Sequence, residues 1–190
     1  MNRLNEFRMR GHLRIWEHNH VLRAKRIVFD RHNLIVNEGK GTIMDWFSGL
    51  TMTYTPTCLN AMIMTKNTSA ENADDTFATV VKGGTDYISN EGVLHTGASG
   101  EVSVTHEEAD PLISISGTLD RNFGNNPANN HINSVCLVMG ANTTTGGPGE
   151  SAYIVTGNER IFARVNVGDL VKTVEKVYTF EWQIQIQTSS

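Results

Sequence analysis

The chain has 190 residues, 39% of them apolar and 19% charged, which excludes a disordered or collagen-like polymer and fits one globular domain with a sizeable core. Sixteen basic residues stand against twenty acidic ones, a net charge of −4, but the balance is uneven: residues 1–40 hold nine Lys/Arg and four Asp/Glu, and the rest hold seven and sixteen. No apolar run approaches the roughly 20 residues that cross a bilayer, and the polar start leads into no signal-peptide core, so a soluble chain with no membrane partner is expected.

In chain order, the first element reads as a basic hairpin. Leu13 and Ile15 alternate with Arg10, His12 and Arg14, the pattern of a half-buried strand. Glu17-His18-Asn19-His20 supplies the expected turn, and a second strand over 21–29 carries Arg23 and Lys25. Pairing the two strands would gather Arg10, Arg14, Arg23 and Lys25. With Trp16 and Arg26, these residues form the candidate assembly interface. The hairpin, residues 1–37, is either an appended arm or part of the main sheet.

After Asn33-Leu34-Ile35-Val36-Asn37 the period becomes helical. Ile43, Trp46, Phe47 and Leu50 fall at i, i+3, i+4 and i+7, which predicts one short helix near 40–49 with Trp46 and Phe47 in the core. Gly49 suits its stop.

Residues 38–190 are otherwise β in character. Strands are predicted at 58–64, 76–81, 101–105, 112–119, 132–139, 152–156, 160–167 and 177–187. In the last of these Tyr178, Phe180, Trp182, Ile184 and Ile186 alternate with polar residues, which makes them core. Burying five such side chains is worth on the order of 10 kcal/mol before entropy. Polar, glycine- and asparagine-rich loops are expected at 66–75, 83–100, 121–130 and 140–151. The fold class that follows is mainly β: an antiparallel β-sandwich, jelly-roll-like, with an N-terminal β-hairpin and one short helix.

Chemistry is sparse. Glu107 and Glu108 are adjacent and point to opposite sides of an extended chain, and Asp74-Asp75 shares the defect. His12, Glu17, His18 and His20 lie near a turn that makes them diverge, a poor metal set. Cys58 and Cys136 sit in apolar stretches and read as buried free thiols. Gly39-Lys40-Gly41-Thr42 lacks the first glycine of a phosphate loop. Asn67-Thr68-Ser69 and Asn142-Thr143-Thr144 have the form of glycosylation acceptors but read as loop chemistry. No catalytic residue, metal or cofactor is assigned. The net acidic chain carries no nucleic-acid reading motif. A carbohydrate-binding module is weakened because the long loops hold only Tyr87 and Phe123 as aromatics.

The order of these tracts resembles a family of bacteriophage virion structural proteins. The residues are Gly11-His12-Leu13-Arg14-Ile15 in the hairpin, Asn33 to Asn37 followed by Gly39, then Ile161-Phe162-Ala163-Arg164-Val165, Lys172-Thr173 and Phe180-Glu181-Trp182-Gln183-Ile184. Related chains often place an acidic residue and a glycine before the apolar strand that here reads Asn133-Ser134-Val135-Cys136-Leu137. The resemblance implies assembly rather than reaction: a capsid cement or decoration protein, or a tail, baseplate or fibre component. It implies the major capsid protein or other virion proteins as partners, self-association, and a virion location after synthesis in the host cytoplasm.

Overall fold

The computed structural model describes residues 7–48, 59–81, 93–95, 102–107, 112–121, 127, 130–140 and 159–188. Its elements are β1 (Phe7–Asn19), β2 (Ala24–Ile35), α1 (Asn37–Ser48), β3 (Leu59–Thr65), α2 (Phe77–Val80), β4 (Val93–His95), β5 (Val102–Glu107), β6 (Leu112–Leu119), β7 (His131–Met139), β8 (Arg160–Val171) and β9 (Lys176–Thr188). The chain is mainly β and its paired strands are antiparallel. The order β4-β3-β7-β8-β2-β1-β9-β6-β5 forms one sheet, which curls until β4 touches β6 and β3 touches β5. It is nearly closed as a barrel.

The hairpin belongs to this sheet. β1 pairs with β9 from Phe7↔Thr188 to Asn19↔Lys176, and β2 joins β8 at Leu34↔Arg164 and Ile35↔Ala163. The inward residues Leu13 and Ile15 meet Phe180, Trp182 and Ile184 of β9, Ile115 of β6, and Met62, Met64, Val135 and Leu137 from the opposite half. Tyr178, Phe180, Trp182 and Ile184 are buried as expected; Ile186 is half-buried at the sheet's end.

The two halves differ in how many faces they cover. β1 and β9 alternate because one face meets water. Residues 61–65 of β3 and 134–139 of β7 are buried continuously. A second cluster explains this: Val36, Ala61, Ile63, Phe77, Val80, Cys136, Val138 and Ile161 pack on the other side of β3, β7 and β8.

Two local readings are corrected. The strand expected at 76–81 is the single-turn helix α2, so the chain has a second helix. Thr76 and Thr79 form a reciprocal capping box, Thr76 Oγ1 accepting from the Thr79 N–H at 3.3 Å and Thr79 Oγ1 from the Thr76 N–H at 2.9 Å. α1 begins three residues earlier than predicted. There the Asn37 N–H donates to the Ala73 carbonyl at 2.7 Å, and Gly39 lies so close to β8 that a Cβ would sit 2.7 Å from Phe162 Cα. Ile43 of α1 packs on the core, while the side chains of Trp46 and Phe47 lie outside the described residues. Cys58, Gly49 and the predicted strand at 152–156 lie outside them as well, as do most of the loops at 83–100, 121–130 and 140–151, within which β4 is described.

Candidate functional site

The predicted gathering of Arg10, Arg14, Arg23 and Lys25 does not occur. The hairpin is longer than its sequence suggested, because the turn falls at 20–23 rather than 17–20. Asn19 Oδ1 accepts the Leu22 N–H at 2.9 Å, and Arg23 takes a left-handed φ of 50°, so the reversal is made after the histidines. Arg10 opposes Gln185 near one end of the hairpin, and Lys25 opposes His18 near the other. Eight residues of strand separate Arg10 from His18, roughly 26 Å.

Along the outer face the basic groups are partly neutralised by acids. Arg14 faces Asp30 across the ladder, its Nε 2.9 Å from Oδ2, while His12 Nε2 is 2.6 Å from Oδ1. The Arg14 bond, with the charge of Arg14 and a lesser contribution from His12, holds the Asp30 carboxyl below its ordinary range against the opposing effect of burial. Lys25 Nζ lies 4.6 Å from the centre of the Trp16 ring. Arg10 and Arg23 make no ion pair among the described residues.

Apolar side chains crowd the hairpin's turn. Six large hydrophobic residues are exposed among those described, and four of them, Val21, Leu22, Ile27 and Val174, lie at this end of the sheet. Val21 and Leu22 are 67% and 73% exposed. The His20 N–H donates to the Glu175 carbonyl at 2.8 Å and so holds the β8–β9 turn, with Val174, beside the hairpin turn.

Next to this patch the sheet opens. β7 and β8 shift register between Ser134↔Asn166 and Ile132↔Leu170, two residues of β7 against four of β8. Gly168 lies in that bulge at φ +82°, a conformation L side chains resist. The end of β8 follows β7 and parts from β2. A cleft of about 450 Å³ separates residues 26–28 of β2 from 169–171 of β8. At its floor is Glu17, 5% exposed, which sequence reasoning assigned to the turn. Its carboxylate receives Arg26 Nη2 at 2.9 Å, Lys176 Nζ at 3.3 Å and the Tyr178 hydroxyl at 3.0 Å. Burial alone would raise the Glu17 carboxyl; these three partners outweigh it and leave it below the ordinary value. Burial and the adjacent Glu17 push the Tyr178 hydroxyl up in turn.

A second polar group, missed by sequence reasoning, pins the loop after β3. Arg164 is fully buried; its Nη1 lies 2.7 Å from Asp75 Oδ2, and Nη2 reaches the Ser69 carbonyl at 2.9 Å and Asn67 Oδ1 at 3.3 Å. The signal for it was a lone charge within the apolar run 161–165. Asn67 thereby serves as an internal acceptor, in keeping with the loop reading of that tripeptide. At α1, Glu38 Oε2 accepts the Ile161 N–H at 2.7 Å and the Phe77 N–H at 3.2 Å. Burial pushes Glu38 above the ordinary range despite those donors and Arg160.

His18 and His20 stack at 4.6 Å, His12 turns to Asp30, and among the described residues no three His, Cys, Asp or Glu side chains converge as a metal site. No helix of the described residues is long and apolar enough to cross a membrane. Glu107 is exposed at the end of β5, and Glu108 lies outside the described residues. The described geometry is that of an antiparallel β protein with one apolar, basic end and an open seam beside it. Compared with known proteins, the chain matches no family model, no curated protein and no solved structure.

Proposed function

We propose that this chain is a non-enzymatic bacteriophage virion structural protein, a cement or decoration protein that clamps and stabilises major capsid subunits. The observation that carries the reading is the hairpin end. Val21, Leu22, Ile27 and Val174 are exposed together beside Arg23, Lys25 and Arg26, a combination suited to being covered by an acidic protein surface. The order of tracts in the sequence supports the same class. In this reading the two halves of the curled sheet act as the layers of a jelly-roll-like sandwich, a rigid body that presents the hairpin. Repeated modest contacts, between copies and with the shell, then hold the particle through avidity.

Quantification of this chain in purified particles tests the reading. Hundreds of copies per particle are expected. A small multiple of three or six would instead make it a tail, baseplate or fibre component, and its absence from particles would end the virion reading.

A further inference from the structure

The geometry points to a small-ligand site on the outer face of the sheet around Arg10, which takes a sugar bearing one oxyanion, either a sugar acid or a sugar phosphate. The inference is independent of the virion reading, because it concerns what the isolated chain binds.

The first ground is how the ladders gather the site. Leu13, Trp182 and Ile184 face the core, so the residues alternating with them in β1 and β9 face water. On that wet face Arg10 opposes Gln185, which opposes Leu112 of β6, and in the next row His12 stands between His32 and Gln183. These six residues line one open cavity of about 340 Å³, a size that suits a single small molecule. The space has a structural origin. The β1–β2 ladder ends at Gly11↔Asn33, and from Leu34 onward β2 pairs with β8, so no β2 residue pairs with Arg10.

The second ground is charge. Among the described residues no carboxylate lines the cavity, and the exposed Arg10 has neither an ion pair nor a hydrogen bond. The acid beside it is taken: Asp30 is held by Arg14 Nε at 2.9 Å and by His12 Nε2 at 2.6 Å. Glu107 of β5, opposite Leu112, stands three strands from Arg10, roughly 14 Å. A free guanidinium meets a carboxylate or a phosphate with two parallel hydrogen bonds, which selects an oxyanion. A lone Arg suits one such group rather than a polyanion.

The third ground is what surrounds that charge. The Gln183 side chain has no hydrogen bond among the described residues, and His32 has only a weak one, between Nδ1 and the Gly11 carbonyl at 3.4 Å. Amides and neutral imidazoles both donate and accept, as hydroxyls do, so a ring of hydroxyls matches them. An oxyanion on an apolar body would leave them without partners. Leu112 supplies an apolar edge for the C–H face of a sugar ring.

The test is an amide-shift titration of the folded chain with sodium glucuronate, glucose 6-phosphate, glucose, acetate and inorganic phosphate at constant ionic strength. At least one of the two sugar anions should give saturable shifts centred on residues 10–12, 32, 112 and 183–185, with Kd of roughly 1–10 mM for so small a ligand. The tighter of the two tells whether carboxylate or phosphate is the preferred group. Glucose lacks the charge, and acetate and inorganic phosphate lack the hydroxyl-bearing ring, so each should bind about tenfold more weakly or less. Arg10→Ala should weaken the sugar anion about tenfold at an unchanged melting temperature, and Gln183→Ala should weaken the sugar anion but not acetate or inorganic phosphate. The proposal is overturned if neither sugar anion saturates by about 50 mM, or if Arg10→Ala leaves the affinity intact. Equal binding of glucose would remove the oxyanion from the assignment, and equal binding of acetate or inorganic phosphate would remove the sugar.

Discussion

The Trp182 indole N–H donates to Asn33 Oδ1 at 2.9 Å, and the Asn33 side chain lies in the space that a side chain at Gly11 would occupy. Gly11 and Asn33 are direct partners across β1 and β2, while Trp182 faces Leu13 from β9, so one amide ties three strands together. Trp182→Ala should cost roughly 3 to 5 kcal/mol by emptying the core. Trp182→Phe keeps most of the volume but leaves the amide oxygen without its donor, for about 1 to 2 kcal/mol. Gly11→Ala should displace Asn33 at a cost of about 1 to 3 kcal/mol. Because both act through Asn33, the Gly11→Ala/Trp182→Phe double variant should lose less than the sum in urea unfolding. Strict additivity would show that the amide is not the shared element.

Arg164 and Asp75 form a buried ion pair that joins β8 to the loop after β3. Arg164→Met or Asp75→Ala alone strands a buried charge and should cost roughly 3 to 5 kcal/mol. Removing both should cost less than the two together, since no uncompensated charge remains. Chemical denaturation of the three variants gives the coupling directly. Equal and additive losses would mean that the loop, rather than the pair, bears the energy.

These relationships mark where sequence reasoning succeeds and where it stops. β6 was read with its observed ends, and β9 within a residue of its ends, because turn signals bound the one and strict alternation marks the other. β3, β7 and β8 were legible as apolar runs, but the reason for their continuity, a second cluster under α2, was not. α2 was hidden because Thr76, Thr79, Val80 and Val81 are β-branched, and a local capping box overrode that propensity. The candidate site was legible only in part. Arg26 and Trp16 could be marked as hairpin residues, but their partners Glu17 and Lys25 depend on a register that a four-residue turn sets. The seam depends on one left-handed glycine, Gly168, which leaves no periodic trace.

Two glutamates should give stability terms of opposite sign with pH. Glu17 titrates below the ordinary value of 4.5 in the folded protein, so its contribution is complete above that value and is lost as pH falls through the lower folded one. The advantage of wild type over Glu17→Gln should be constant at neutral pH and shrink below about 4.5. Glu38 titrates above 4.5, so the folded state loses ground as pH rises through 4.5 to the higher folded value. Glu38→Gln should therefore gain on wild type over that rise. Unfolding free energies measured across the acid range check both slopes. Parallel curves for wild type and either variant would remove that glutamate as a source.

Cys136 is fully buried, and burial, partly offset by Arg164, pushes its thiol up to about 12. The thiolate is the reactive form, so Cys136 should resist maleimide in the native protein and label readily in denaturant. Mass spectrometry of tryptic peptides reads this site directly. Rapid native labelling would mean that the sheet opens between β7 and β8 far more often than its packing implies.

The hairpin's charges divide by whether they have internal partners, and the division makes the assembly reading testable without confusing binding with folding. Arg14 and Arg26 hold Asp30 and Glu17, so reversing either charge puts two carboxylates together and should lower the melting temperature. Arg10 and Arg23 have no ion pair among the described residues, so Arg10→Glu and Arg23→Glu should leave it nearly unchanged. Arg23 sits on the apolar turn, whereas Arg10 is at the far end of β1. If the turn is the docking element, Arg23→Glu should reduce incorporation into particles while Arg10→Glu does so much less, both at wild-type stability. Equal occupancy for all three proteins would make the turn ordinary surface. Equal loss for both variants would instead place the contact along the whole outer face of the hairpin.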